Sequence, residues 1–337
     1  MHDYHLSFMA GFLSCVPRDK LPNVIRNYIE KKFFASVPHK NGEAELAVLP
    51  LRKIEAFLID NGFSCVVSPP QQTHMHQGAK LFMVSTMDPF GLGPATTTMV
   101  GLAGGKEPYN KFFYERLITT IRKQNPQAKI ITGGPGVWEF EIMQNEKERL
   151  GIDCVVRGDV EGMPLELLRD AVAGKEIPKQ AKGGMRTFPH LIKKPSFWGM
   201  VEISRGCGRG CQFCDLELMS GVRWLPKEHI LKEIEVNVRC SEVKTITLLS
   251  EDILRYGTAL GEWKPNESIV ELAKAVKAYG LPISLTHCTF ASALANPKVT
   301  EEFAEVCGYN EKSMSGFQTG IESGSSRMVT KYMKGKL

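Results

Sequence analysis

Residues 201–217 read VEISRGCGRGCQFCDLE, an apolar strand running without a spacer into three cysteines at positions 207, 211 and 214. A helical segment, KEHILKEIEVNVR (227–239), follows, so the cysteines fall in the loop of a β/α unit. Parallel α/β folds gather their functional groups at that carboxyl end of the strands. Glycines at 206, 208 and 210 let the backbone curl so that the thiols converge. Three thiolates in a C-x3-C-x2-C spacing suit an iron–sulfur cluster, which normally takes four protein ligands, and so leave one iron open. Zinc is the alternative, but structural zinc wants four closed ligands, and Cys240 lies too far along a helix to be an obvious fourth. A three-thiolate catalytic zinc and three buried, unligated thiols are the remaining options.

At 337 residues the chain exceeds the usual span of one hydrophobic core, which predicts two domains. Its net charge of +5 is spread without a run of like charges, which argues against a nucleic-acid or anionic-membrane partner. No stretch of about 18 apolar residues occurs, and the opening MHDYHLSFMAGFLSC has no basic leader, so a cytoplasmic protein without a membrane span is expected. Nine cysteines, three of them within eight positions, indicate metal ligation in a reducing compartment, not a disulfide framework.

Outward from the cysteines, strands and helices alternate. Upstream, residues 1–48 read as an irregular lead-in interrupted by prolines. A first α/β domain over 49–184 follows, with a helix at 51–62, strands at 63–68, 80–86, 128–134 and 153–158, and helices at 112–124 and 164–174. The polar stretch 175–196, rich in Pro and Gly, reads as a linker, with the boundary near 185 and the linker proper at 185–197. From 198 to 337 come strands at 198–204, 244–250, 282–287 and 316–322, with helices at 227–239, 267–280, 297–307 and from Ser326. Four β/α units are about half of a (β/α)₈ barrel.

The spacing C-x3-C-x2-C, with Phe213 just before the last cysteine, resembles the signature of the radical S-adenosylmethionine (SAM) superfamily over residues 198–337. The resemblance implies a 4Fe-4S cluster on Cys207, Cys211 and Cys214, whose open iron takes the amino and carboxylate groups of SAM. It makes Ser250, Glu251 and Asp252, ending the strand KTITLLSEDIL, candidates to hold the SAM amino group by charge-assisted bonds. Glu322, in GFQTGIESGSS, becomes the candidate contact to the ribose, with Ser323 beside it; Ser323 and Ser325 equally read as N-caps of the last helix. His287, ending PISLTH, faces the same barrel mouth as a hydrogen-bond or proton donor, or is a packed side chain. Superfamily barrels usually continue through two more β/α units, so a C-terminally truncated sequence is expected.

An α/β domain ahead of such a barrel resembles the cobalamin-binding domain of cobalamin-dependent radical SAM enzymes, over about 50–180. The segments that carry it are STMDPFGLGP (85–94), TGGPGVW (132–138) and RGDVEG (157–162), all after strands. They make Ser85, Thr86, Met87, Asp88, Gly133, Gly134, Gly158 and Asp159 the candidate cobalamin contacts. The D-x-H-x-x-G motif that gives cobalt a histidine is absent, so cobalamin would have no such lower ligand. The fold class expected is α/β, a doubly wound Rossmann-like domain of cobalamin-binding type followed by a partial (β/α) radical SAM barrel.

The resemblance implies a cobalamin-dependent C-methyltransferase acting on an unactivated carbon of a peptide, a protein side chain or a small molecule. It would draw electrons from a donor such as ferredoxin or flavodoxin, with no nucleic-acid partner. A non-methylating radical SAM enzyme (cyclase, rearrangement or methylthio transfer) is the first alternative. Methylthio transfer would ask for a second cysteine cluster in the first domain, and Cys15, Cys65 and Cys154 are scattered. A non-catalytic iron–sulfur redox or sensor protein is the second.

Overall fold

The computed structural model describes residues 12–184, 189–211, 221–313, 316, 318–321 and 323–333. Two compact units result, one formed by residues 1–45 and 64–186 and the other by 46–63 and 187–337.

The first unit is built on four parallel strands, β1 (Leu81–Ser85), β2 (Lys129–Gly133), β3 (Cys154–Arg157) and β4 (Gln180–Lys182), adjacent in chain order. The sheet is α/β and parallel as expected, but its strand order shows no reversal among the described residues, so the crevice of a doubly wound sheet does not arise there. Ile130 and Ile131 of β2 and Cys154 and Val156 of β3 are buried, as strands covered on both faces require. Helix Tyr109–Gln124 buries Tyr114, Ile118 and Ile121, one face of a 3.6-residue period. Tyr114, Phe90 and Phe140 meet edge to face in that core.

Three expectations for this unit change. Segment 63–68 pairs with no strand, although the Ala44 amide donates to the Val67 carbonyl at 2.8 Å. The polar stretch read as a linker supplies β4, an edge strand that one neighbour suffices to hold. The Gly/Pro-rich segment after β1 contains helix Pro94–Ala103, started by a proline in its first turn and stopped by Gly104 in the left-handed region (φ 64°).

The second unit carries three parallel strands, β5 (Met200–Glu202), β6 (Ile246–Leu249) and β7 (Ile283–Leu285), with β6 central. Their side chains Val201, Ile246, Leu248 and Ile283 are buried beneath three helices. Lys227–Val238 contributes Ile230 and Ile234, Glu267–Lys277 contributes Leu272 and Val276, and Pro297–Cys307 contributes Val299 and Phe303. Each such side chain is worth about 1.5–3 kcal/mol on burial. Of the expected fourth strand, the described residues show one parallel bridge, Gln318 to His287.

Helix Leu49–Asp60, read from sequence as part of the first α/β domain, packs instead within the second unit. Buried charges decide its place. Lys53 pairs with Glu233 on helix Lys227–Val238, and Arg52, fully buried, donates to Glu55 at 2.8 Å and to the Pro195 carbonyl at 3.0 Å. Ions are tolerated inside only when paired in this way.

Candidate metal centre

Beyond β5 the chain passes through buried Ile203 into a two-residue antiparallel ribbon, Ser204–Arg205 against Arg223–Trp224, which brackets the cysteine loop. Gly206, Gly208 and Gly210 all adopt left-handed backbone (φ 72°, 68° and 63°), a conformation costly to any residue with a Cβ. The curl leaves Cys207 and Cys211 buried at 8% and 4% exposure. Burial pushes the Cys207 thiol up, against the Arg209 amide, which donates to its Sγ at 3.4 Å. Cys214 and Phe213 lie outside the described residues, and no three metal-ligating side chains stand together among those described. A glycine-bent loop with two buried thiols fits the soft, anionic coordination of an iron–sulfur cluster.

Around this loop lies a charged network that the sequence alone does not reveal. Asp252, 2% exposed, accepts through Oδ2 from Arg209 Nη2 at 2.6 Å, Thr289 Oγ1 at 2.8 Å and Ser292 Oγ at 2.5 Å. Arg209 Nη2 reaches Thr289 Oγ1 at 2.9 Å as well. Arg255, also buried, donates from Nη1 to the Cys207 carbonyl at 2.9 Å. Both guanidiniums lie over the Trp263 ring, at 4.5 and 3.8 Å from its centroid. The only hint of this arrangement in the sequence is an arginine between two cysteines.

Of the three candidates after β6, Ser250 and Asp252 are thus enclosed and Glu251 is exposed. Ser250 Oγ lies 2.7 Å from Ser204 Oγ and accepts from the Asp252 amide at 3.2 Å. His287 is half-buried at the end of β7, and its Nδ1 is buried without a hydrogen-bond partner among the described residues. Ser323 Oγ accepts from the Ser325 amide at 3.1 Å, and Ser325 caps helix Ser326–Tyr332. Glu322 lies outside the described residues.

In the first unit two of the candidate cobalamin loops, 85–94 and 132–138, pack on one another, and the third, 157–162, packs on Gly183 and Gly184. Thr86 donates from its amide to the Gly133 carbonyl at 2.9 Å and accepts from the Gly136 amide at 3.0 Å. A Cβ on Gly134 would stand 2.6 Å from the Thr86 carbonyl oxygen, and one on Gly136 2.4 Å from the Met87 carbonyl carbon. Gly158 lies against Gly183 in the same way, and Gly183 against the Asp159 carbonyl. These glycines serve backbone-to-backbone packing of the protein itself. Asp88 is a brace, accepting from the Gly93 amide at 2.9 Å and from Asn110 Nδ2 at 2.7 Å. Ser85 and Met87 are exposed. Cys15 and Cys154 are buried, Cys154 within β3.

No family model matches the chain. Among curated proteins it is similar to the ribosomal protein uS12 methylthiotransferase RimO of Dictyoglomus thermophilum, 33% identical over 197 residues, which is 57% of this chain and 43% of that protein. The RimO of Desulforamulus reducens is 28% identical over 177 residues, 50% of this chain and 38% of that protein. The tRNA-2-methylthio-N(6)-dimethylallyladenosine synthase of Syntrophomonas wolfei is 23% identical over 217 residues, 63% of this chain and 46% of that protein. The chain spans less than half the length of these relatives. Their names point to methylthio transfer and lend cobalamin no support, and one of them names a tRNA product. No helix among the described residues is long and apolar enough to cross a membrane.

Proposed function

We propose that this chain is a radical SAM enzyme that cleaves SAM at a 4Fe-4S cluster held by Cys207, Cys211 and Cys214, in the service of methylthio transfer to a macromolecule. The observation that carries the reading is the cysteine loop, which buries Cys207 and Cys211 at the carboxyl end of β5 on three left-handed glycines. Likeness to methylthiotransferases supports methylthio transfer among radical SAM outcomes. When bound, such a cluster supplies the single electron for homolysis of a SAM carbon–sulfur bond.

The chain's own residues have the remaining tasks. Glu251, the exposed carboxylate after β6, accepts from the SAM ammonium, while Ser250 and Asp252 shape the wall behind it. His287 offers its buried Nδ1 at the end of the neighbouring strand. Glu322 and Ser323 serve the ribose side, and Phe213 is the aromatic residue that precedes the last ligand in the sequence. The electron comes from a carrier of ferredoxin or flavodoxin type. By analogy with the relatives' names, the acceptor is a ribosomal protein or a tRNA.

Anaerobic reconstitution with iron and sulfide, reduction in the presence of SAM and assay for 5′-deoxyadenosine test this reading. Replacing Cys207, Cys211 and Cys214 by alanine abolishes cluster and cleavage, and Cys240→Ala preserves both. A reconstituted protein that yields no deoxyadenosine is an iron–sulfur redox or sensor protein instead. Cys15, Cys65 and Cys154 form no metal-ligating group of three among the described residues, and this favours the second reading, radical chemistry without methylthio transfer. Iron content separates the two, about four per chain for one cluster and about eight for two. Stimulation by methylcobalamin would identify C-methylation.

A further inference from the structure

We propose that Arg209 is the positioning residue of the cysteine loop, anchoring it to the ends of β6 and β7, and that with Arg255 it supplies the positive charge beside the thiolates. The second half of the inference rests on the iron–sulfur reading above; the first does not.

Arg209 stands between Gly208 and Gly210, both left-handed, in a stretch that loses more conformational entropy on ordering than any other residue type would impose. Some contact from outside must therefore hold it. Arg209 provides one by sending a single nitrogen, Nη2, to three acceptors: Asp252 after β6, and Thr289 and Ser292 after β7. Arg255 holds the loop from the other side through the Cys207 carbonyl, and its Nε and Nη2 are fixed by the Glu262 carbonyl at 3.3 and 3.2 Å. Trp263 closes the arrangement with its ring beneath both cations.

The two cations also bear on the electrostatics of the loop. Arg209 and Arg255 are enclosed guanidiniums beside it, Arg209 paired with Asp252 and Arg255 donating to the Cys207 carbonyl. A reduced cluster carries one more negative charge than an oxidised one, so the two cations favour the reduced state.

Two measurements on the full chain test the proposal. In the metal-free protein, iodoacetamide alkylation of Cys207 and Cys211 is followed by mass spectrometry with Cys240 as internal reference, and the rates compared are the plateau values reached at high pH, where the thiols are ionised and the rate reads exposure of the loop instead of thiolate fraction. Arg209→Met and Asp252→Asn speed alkylation of both loop cysteines by about tenfold, the scale of one lost charged hydrogen bond, and leave Cys240 unchanged. The double variant alkylates no faster than either single one, because both remove the same contact. Should Arg209→Met fail to fold by circular dichroism, Ser292→Ala and Thr289→Val, which trim single acceptors, give smaller increases in the same order. In the reconstituted protein, redox titration followed by electron paramagnetic resonance reads the midpoint potential. It falls in Arg209→Met and Arg255→Met and stays near wild type in Arg209→Lys, which keeps the charge but not the three-way contact and therefore still alkylates faster. Unchanged alkylation in Arg209→Met, or Ser292→Ala and Thr289→Val if it does not fold, overturns the positioning role. An unchanged potential in Arg209→Met and Arg255→Met overturns the electrostatic one. A wild-type protein that assembles no cluster refutes the proposed function while leaving the alkylation result to judge the loop.

Discussion

Replacing Lys53 by methionine tests whether helix Leu49–Asp60 is an integral part of the second unit. Glu233 is fully buried, pairs with Lys53, accepts from the Ile192 amide at 3.2 Å, and has His229 Nε2 at 3.3 Å. Burial alone would raise its pKa, but His229 and Lys53 outweigh that and hold the carboxyl below its ordinary range. Lys53→Met strands a buried carboxylate, at a cost of about 3–5 kcal/mol. At about 2–4 °C per kcal/mol for a unit of this size, the unfolding midpoint of the second unit falls by about 6–20 °C. Scanning calorimetry of the full chain reads this, with the transition of the first unit as the unshifted reference. The double variant Lys53→Met/Glu233→Gln removes both charges but keeps an acceptor for Ile192, and returns to within about 1–2 kcal/mol of wild type. Lowering the pH supplies a second reading. A carboxylate with a depressed folded pKa contributes stability that is present above its unfolded value, here 4.5, and lost as pH falls through the folded value. The gap between wild type and Glu233→Gln is therefore full at neutral pH and closes in acid. A midpoint shift below about 2 °C for Lys53→Met would show that the helix is not bound into this cooperative unit.

Two further outcomes concern the first unit. Burial, with the nearby Asp88 carboxylate, pushes Glu139 up to about 8, so it folds as a neutral acid whose Oε2 accepts from the Phe90 amide at 2.7 Å. A raised carboxyl pKa makes stability fall as pH rises between the unfolded value of 4.5 and about 8; Glu139→Gln removes that slope, measurable by urea unfolding across the range. Gly136→Ala drives a methyl against the Met87 backbone and lowers stability by about 1–3 kcal/mol, whereas Gly174→Ala, with open space around it and φ 74°, costs about 1 kcal/mol or less; denaturant midpoints compare the two.

Strands such as β2, β3 and β6 were legible because each is a short apolar run with most of its side chains buried, and the helices packed on them repeat apolar residues with a period near 3.6, whereas the polar, exposed β4 was not legible. Nor was partnership. Helix Leu49–Asp60 shows the same kind of apolar face as any neighbour of β1, and nothing local to it says that Lys53 will meet a glutamate 180 residues away. Helix Pro94–Ala103 was hidden by its composition, threonine and glycine outweighing the terminal signals of Pro94 and Gly104. Glycines in the loops after β1, β2 and β3 told correctly that something approaches the backbone. They did not tell whether it was a ligand or the next loop.

The site repeats this division between what is local and what is not. Three glycines in alternation state the bend of the cysteine loop within five residues. Ser250, Glu251 and Asp252 form a stretch whose side chains alternate in direction, so only one or two of the three face solvent, and the sequence does not say which. The structure turns Glu251 outward and Ser250 and Asp252 inward. An enclosed carboxylate demands a cation, and Arg209, 43 residues earlier in the chain, meets that demand. The aspartate that the sequence offers to a cofactor is thus turned inward onto Arg209 of the cysteine loop, and of the three residues only Glu251 is exposed.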